Sequence, residues 1–130
     1  MSVKNEDPCL TTNPSSEPNT KTDTDIALIR LLNYRLRKFG SGGQVLATDG
    51  ILDQGLVFAQ KALEAVAQFD NFNDDNDPWQ EHDCASLTVN GRRIIWNIDY
   101  YDRQSTNHSP NPADYKVTRL VLTIMLASEY

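Results

Sequence analysis

The chain has 130 residues and a formal net charge of −6, which is one domain's length and a charge balance that repels a phosphate backbone at long range, so direct nucleic-acid binding is disfavoured. No apolar run approaches the ~20 residues of a membrane span, and Lys4, Glu6 and Asp7 interrupt the start before any signal segment could form. A cytoplasmic protein with one modest core is expected.

Residues 1–22 are rich in Pro, Ser, Thr and Asn and hold only Val3 and Leu10 as large apolar residues. Such a segment cannot offset its ordering entropy, so it reads as a flexible tail ahead of a single domain over residues 23–130. Cys9 in that tail and Cys84 far along the chain do not suggest a disulfide framework.

A helix is expected from Asp25 to Phe39, with Thr22 and Asp25 as a capping box and Ile26, Ile29, Leu32, Leu36 and Phe39 as its buried stripe. Gly40 suits the residue after its end. Arg30, Arg35, Arg37 and Lys38 read as a solvated helix face, with DNA contact as the lesser alternative. Ser41-Gly42-Gly43 then precedes a short strand, Gln44 to Thr48; a phosphate loop would follow a strand and open a helix, so a turn is expected. Asp49-Gly50 reads as another turn. A second helix, Gln54 to Phe69, would face Ala59, Ala62, Leu63, Val66 and Phe69 inward.

Asn90-Gly91 between two β-rich runs predicts a tight hairpin over 84–89 and 92–100, because a type I′ turn needs positive φ at both central residues. The register follows: Val89 opposes Arg92 and Cys84 opposes Asn97. Leu87, Ala85, Ile94, Trp96 and Ile98 then share a core face. Extending the pairing places His82 opposite Asp99 on the polar face, beside Cys84 and Tyr101. A last helix is expected from Asn111 as N-cap and Pro112 at N1, running through the apolar residues up to Leu126. The order α-β-α-β-β-α predicts an α+β domain, with a small, mainly antiparallel sheet centred on the hairpin and packed by three helices. The place of the strand near Val45 in that sheet is open.

The segment from Asp70 to Asp83 gathers acids and aromatics. Read as a calcium loop, it fails where Phe72 and Asp75 occupy the positions of an oxygen ligand and a glycine. An irregular oxygen site drawn from Asp74, Asp75, Asp77, Glu81 and Asp102 is the metal alternative, and a His82–Asp99 pair with Cys84 nearby is the nucleophilic one. The preferred reading assigns no catalytic residue, no metal and no cofactor. It assigns a binding surface: Asp74, Asp75, Asp77, Trp79, Glu81, His82, Asp99, Tyr101 and Asp102, where carboxylates and aromatic rings would receive a cationic partner.

Asp75-Asn76-Asp77-Pro78-Trp79, then Glu81-His82-Asp83, then Trp96, Ile98-Asp99-Tyr100-Tyr101-Asp102 and the closing Leu122 to Tyr130 resemble a bacterial family known as domain of unknown function 3768. The resemblance runs from about Ile29 to Tyr130. Two positions depart from the family pattern: Cys84 stands where an aromatic is usual, and Asn97 where Lys is usual. The first departure weakens a thiol chemistry. The resemblance implies no established activity, but it brings an association with plasmids and other mobile elements. The expected function is therefore a non-enzymatic acidic module that binds a protein, in its sharpest form a mobile-element inhibitor occupying the basic nucleic-acid surface of a host defence system. A metal-dependent or His/Asp-based hydrolase is the alternative, and a DNA-binding regulator comes third.

Overall fold

The computed structural model describes residues 21–130; most of the expected tail, Cys9 included, lies outside the described residues. Lys21 and Thr22, assigned to that tail, instead belong to the folded unit. Thr22 caps the first helix, α1 (Asp23–Phe39), through the reciprocal box with Asp25 that the sequence suggests, and Gly40 ends it in the left-handed region at φ 69°. Strand β1 (Gly43–Ala47), helix α2 (Asp49–Asp53), helix α3 (Leu56–Gln68), and strands β2 (Cys84–Val89), β3 (Arg92–Tyr101) and β4 (Arg119–Leu126) follow, with a 3₁₀ turn at Ala127–Glu129.

The domain is α+β, with four strands in the order β1-β4-β3-β2. The sheet is mixed: β2–β3 and β3–β4 are antiparallel, while β1 runs parallel to β4. That parallel edge, and the observed order α-β-α-α-β-β-β, correct the expected arrangement. The expected Asp49-Gly50 turn is the start of α2, which Thr48 caps by accepting from the Ile51 N–H.

The largest correction lies at the C-terminal end, where the expected helix is β4. Lying between β1 and β3, this strand is a central one, and central strands read as near-continuous apolar runs rather than as alternation. Its burial nevertheless alternates, with Leu120, Leu122, Ile124 and Leu126 inside and the residues between them less so. Asn111, expected to cap a helix, builds a local turn. Its side chain accepts from the Ala113 N–H at 3.3 Å and its carbonyl from the Asp114 N–H at 2.9 Å. Such side-chain turns compete with helix formation.

The hairpin register matches the expected one from Val89↔Arg92 to Cys84↔Asn97. Asn90 and Gly91 take positive φ of 49° and 81°. Ile94, Trp96, Ile98 and Tyr100 of β3 pair with Leu126, Ile124, Leu122 and Leu120 of β4, and all eight enter one apolar core with Ile29 and Leu36 of α1 and Phe58, Ala62 and Val66 of α3. At the parallel edge Gly43 pairs with Leu120, where a Cβ would sit 2.3 Å from the Leu120 carbonyl oxygen. Only glycine allows that approach.

The buried stripe of α1 is Ile29, Asn33, Leu36 and Arg37, whereas Phe39, expected inside, is exposed. In α3, Leu63 is likewise exposed rather than inward. The basic residues of α1 therefore do not form one solvated face, because Arg37 points into the interior. Its guanidinium donates to the carbonyls of Val66 and Phe69 at 2.8 and 2.9 Å, closing the C-terminal end of α3. The same group lies 5.0 Å from the Trp96 ring centre and 5.4 Å from that of Phe72. Burial lowers its pKa from the usual arginine value.

Candidate functional site

Between α3 and β2 the acidic segment folds on its own side chains. Asn73 Oδ1 accepts from the N–H groups of Asp75 and Asn76 at 2.9 and 3.0 Å, and Asn76 Oδ1 accepts from the Asn73 N–H at 2.8 Å. These are the local turns that Asn and Asp favour. They leave Asp74 and Asp75 exposed, and Trp79 follows with 40% of its surface exposed.

The next residues turn inward. Gln80 and His82 both carry positive φ, 61° and 54°, a costly conformation for residues with a Cβ. That kinked backbone sends Glu81 into the protein, where it is fully buried. The Tyr100 hydroxyl donates to its Oε1 at 2.8 Å, and Lys21 pairs with its other oxygen. Asn33 Nδ2 donates both to the Glu81 carbonyl and to the Tyr100 hydroxyl at 3.0 Å, while Arg30 donates to the Gln80 carbonyl at 2.9 Å. Helix α1 thus grips the kink from one side and β3 from the other.

Asp77 is also buried, and its Oδ1 accepts from the His82 N–H at 3.2 Å. The His82 ring stacks on Phe72, centres 4.0 Å apart and planes 3° from parallel, with Nε2 3.3 Å from Asp77 Oδ2. His82 therefore partners Asp77, not Asp99. The cross-strand extension fails because β2 begins at Cys84 and the left-handed turn at His82 takes its side chain off the sheet. Asp99 instead accepts from Asn97 at 3.2 Å.

Burial dominates the electrostatics. It pushes the Asp77 carboxyl up to about 6 and, with Glu81 and Asp77 adding to the effect, that of Asp83 to about 7. Burial, then Arg30 and Arg37, lowers His82 to about 4, so its imidazole is neutral at neutral pH and its approach to Asp77 is not an ion pair. Burial raises Tyr100 well above the usual phenol value and Asp99 above the usual carboxylate value.

The nine residues of the expected surface thus fall into separate groups. Asp74, Asp75 and Trp79 face outward; Asp77 and Glu81 are interior; His82 is half-buried against Phe72. Asp99 and Tyr101 are half-buried on β3. Asp102 closes the loop after β3 by accepting from the Thr106 N–H at 3.0 Å, which lowers its pKa. The acids named for a metal site do not converge, and among the described residues no three His, Cys, Asp or Glu side chains are grouped to hold one. Cys84 is disulfide-bonded, where the sequence suggested no disulfide framework.

Lys21, Asn33, Arg37 and Tyr100 belong to this assembly and were not among the expected site residues. A signal for two of them was present: Asn33 and Arg37 stand four residues apart and continue the stripe begun at Ile29. A family model described as Protein of unknown function (DUF3768) matches residues 47–129. The match covers the acidic segment and strands β2, β3 and β4, and leaves α1 and all of β1 but Ala47 outside. No curated protein and no solved structure gives a significant match. Among the described residues no helix is long and apolar enough to cross a membrane.

Proposed function

The chain belongs to the DUF3768 family, and we propose that it is a non-enzymatic protein-binding module that offers Asp74, Asp75 and Trp79 to a cationic surface on its partner. One observation carries this reading. The segment is held from within, by Asn33 of α1 on the Glu81 carbonyl, Tyr100 of β3 on the Glu81 carboxylate, the His82 N–H on Asp77 and Phe72 on the His82 ring, so the outward side chains are presented from a braced loop. A pre-organised loop loses less freedom on binding, and carboxylates are natural partners for the guanidinium and ammonium groups that otherwise meet phosphate. In its finer form the partner is the basic nucleic-acid channel of a host defence protein in the cytoplasm, and the source is a mobile element. A reducing cytoplasm would open the Cys84 disulfide.

The test is co-purification from the native host with the wild-type chain and with Asp74→Asn/Asp75→Asn/Trp79→Ala. The expected result is a partner with a basic surface retained by the wild type and lost by the variant, with unchanged thermal melting. Equal retention by both chains would remove this face from consideration.

A further inference from the structure

A pocket of about 430 Å³ is built from elements other than the acidic segment. Its walls are Leu32 and Arg35 of α1, the Ser41–Gly43 turn, Arg103 from the loop after β3, Tyr115, and the residues where β4 begins, Arg119 and Leu120 among them. Three guanidiniums line it and no carboxylate does, in a chain whose net charge is −6. None of the three has a side-chain hydrogen bond or ion pair among the described residues. The acids beside two of the lining residues are engaged elsewhere: Asp102 accepts from the Thr106 N–H at 3.0 Å and Asp114 from the Lys116 N–H at 2.9 Å.

Like charges gathered without a counter-charge repel, and the arginine fork matches phosphate oxygens two at a time. The C-terminal end of α1 lies nearby and opposes an anion, but by only about half a charge. Two carbonyls of its last turns are already engaged: Leu36 O accepts from Gly40 N–H at 2.9 Å and Arg35 O from Ser41 N–H at 3.4 Å. Three full charges outweigh that term. Leu32, Leu120 and the exposed Tyr115 ring add an apolar wall on which a flat group can rest. The volume lies in the range of small-molecule sites, roughly 300–1,000 Å³.

We propose that this pocket binds a small phosphorylated molecule, with Arg35, Arg103 and Arg119 around the phosphate and Tyr115 against a planar portion. The loops that carry these groups are anchored from within. Ser109 and Thr118 hydroxyls meet at 2.7 Å, and Thr118 donates to the Asn111 carbonyl at 3.0 Å, fixing the segment that bears Tyr115. The close Gly43–Leu120 pairing sets the opposite wall.

Isothermal titration of the full chain with inorganic phosphate, adenosine 5′-monophosphate and adenosine tests this at low and at moderate salt. The monophosphate should bind more tightly than phosphate, and adenosine should not bind. Arg103→Gln and Arg119→Gln should each weaken the monophosphate by about tenfold, as expected for the loss of a charge-assisted hydrogen bond. Tyr115→Ala should weaken the monophosphate and leave phosphate unchanged. Arg92→Gln, at the hairpin tip, should change neither. Amide shift mapping of the wild type with the monophosphate is independent of any variant's folding, and the perturbed amides should be those of residues 41–44, 103 and 115–120. The proposal is overturned if the wild type binds neither anion, if Arg103→Gln/Arg119→Gln binds as the wild type does, or if the shifts lie elsewhere. Preference for a single-stranded oligonucleotide over the monophosphate, with steep salt dependence, would also overturn it.

Discussion

The Tyr100 hydroxyl donates a 2.8 Å hydrogen bond to a carboxylate oxygen of Glu81 and accepts one from Asn33. This joins the last core residue of β3, the kink before β2 and the middle of α1 in one buried chain of polar groups. Inside a protein such a chain is strong when satisfied and costly when one member is removed. Tyr100→Phe keeps the ring and deletes the oxygen. It should lower stability by roughly 1.5–3 kcal/mol, the range for a hydrogen bond to a charged group, read from urea unfolding. A change within error would show that the network does not brace the loop.

The buried carboxyls set a pH dependence. Asp83 is raised from 3.8 to about 7, and Asp77 from 3.8 to about 6. Between the unfolded and folded values the native state holds more protons, so their contribution to stability is full below about 4 and is lost as pH rises through 6 and 7. His82, lowered from 6.5 to about 4, has the opposite sign: its stability contribution is present above 6.5 and lost as pH falls through 4. The difference between Asp83→Asn and the wild type isolates one group. The variant should melt higher than the wild type at pH 8, and the gap should close toward pH 4. A gap that is constant with pH, or reversed, would refute the shift.

Arg37 ties α1 to the end of α3 by two hydrogen bonds to Val66 and Phe69 carbonyls. Arg37→Met fills the space but removes the donor to the Phe69 carbonyl and leaves the Val66 carbonyl only the Phe69 N–H at 3.4 Å, at roughly 1–3 kcal/mol for a buried unsatisfied group. Arg37→Lys should recover only part of the loss, since a single ammonium does not reproduce the planar fork. Hydrogen exchange should show the last turn of α3 opening first in the Met variant. Full recovery by Lys would mean that charge alone matters here.

Two glycines should differ in cost for different reasons. Gly91→Ala meets no neighbour but must hold φ near +81°, a backbone penalty of about 1 kcal/mol. Gly43→Ala would drive a Cβ to 2.3 Å from the Leu120 carbonyl, where β1 must shift. Its cost should be roughly 2–3 kcal/mol, at the upper end for overpacking. Thermal melting ranks the two, and equal values would argue against the tight β1–β4 edge.

Local rules reached a good part of this protein. The Thr22–Asp25 box, the Gly40 cap and the Asn90-Gly91 hairpin with its register each depend on neighbours within a few residues, and they could be read directly. The identity of β4 could not, because a central strand that is apolar at nearly every position and a buried helix share one composition; the neighbours on either side decide, and β1 arrives from 70 residues or more away in the chain. The fate of the acids was decided the same way. Asp74 and Asp77 are alike on paper, yet the kink at Gln80 and His82 and the partners on α1 and β3 put one in water and the other inside. The meeting of Arg35, Arg103 and Arg119 at one pocket likewise exists only after the parallel edge has formed. Turn chemistry acts over a few bonds and is written in order along the chain; burial of a charge depends on what folds over it, which only the assembled sheet and helices determine.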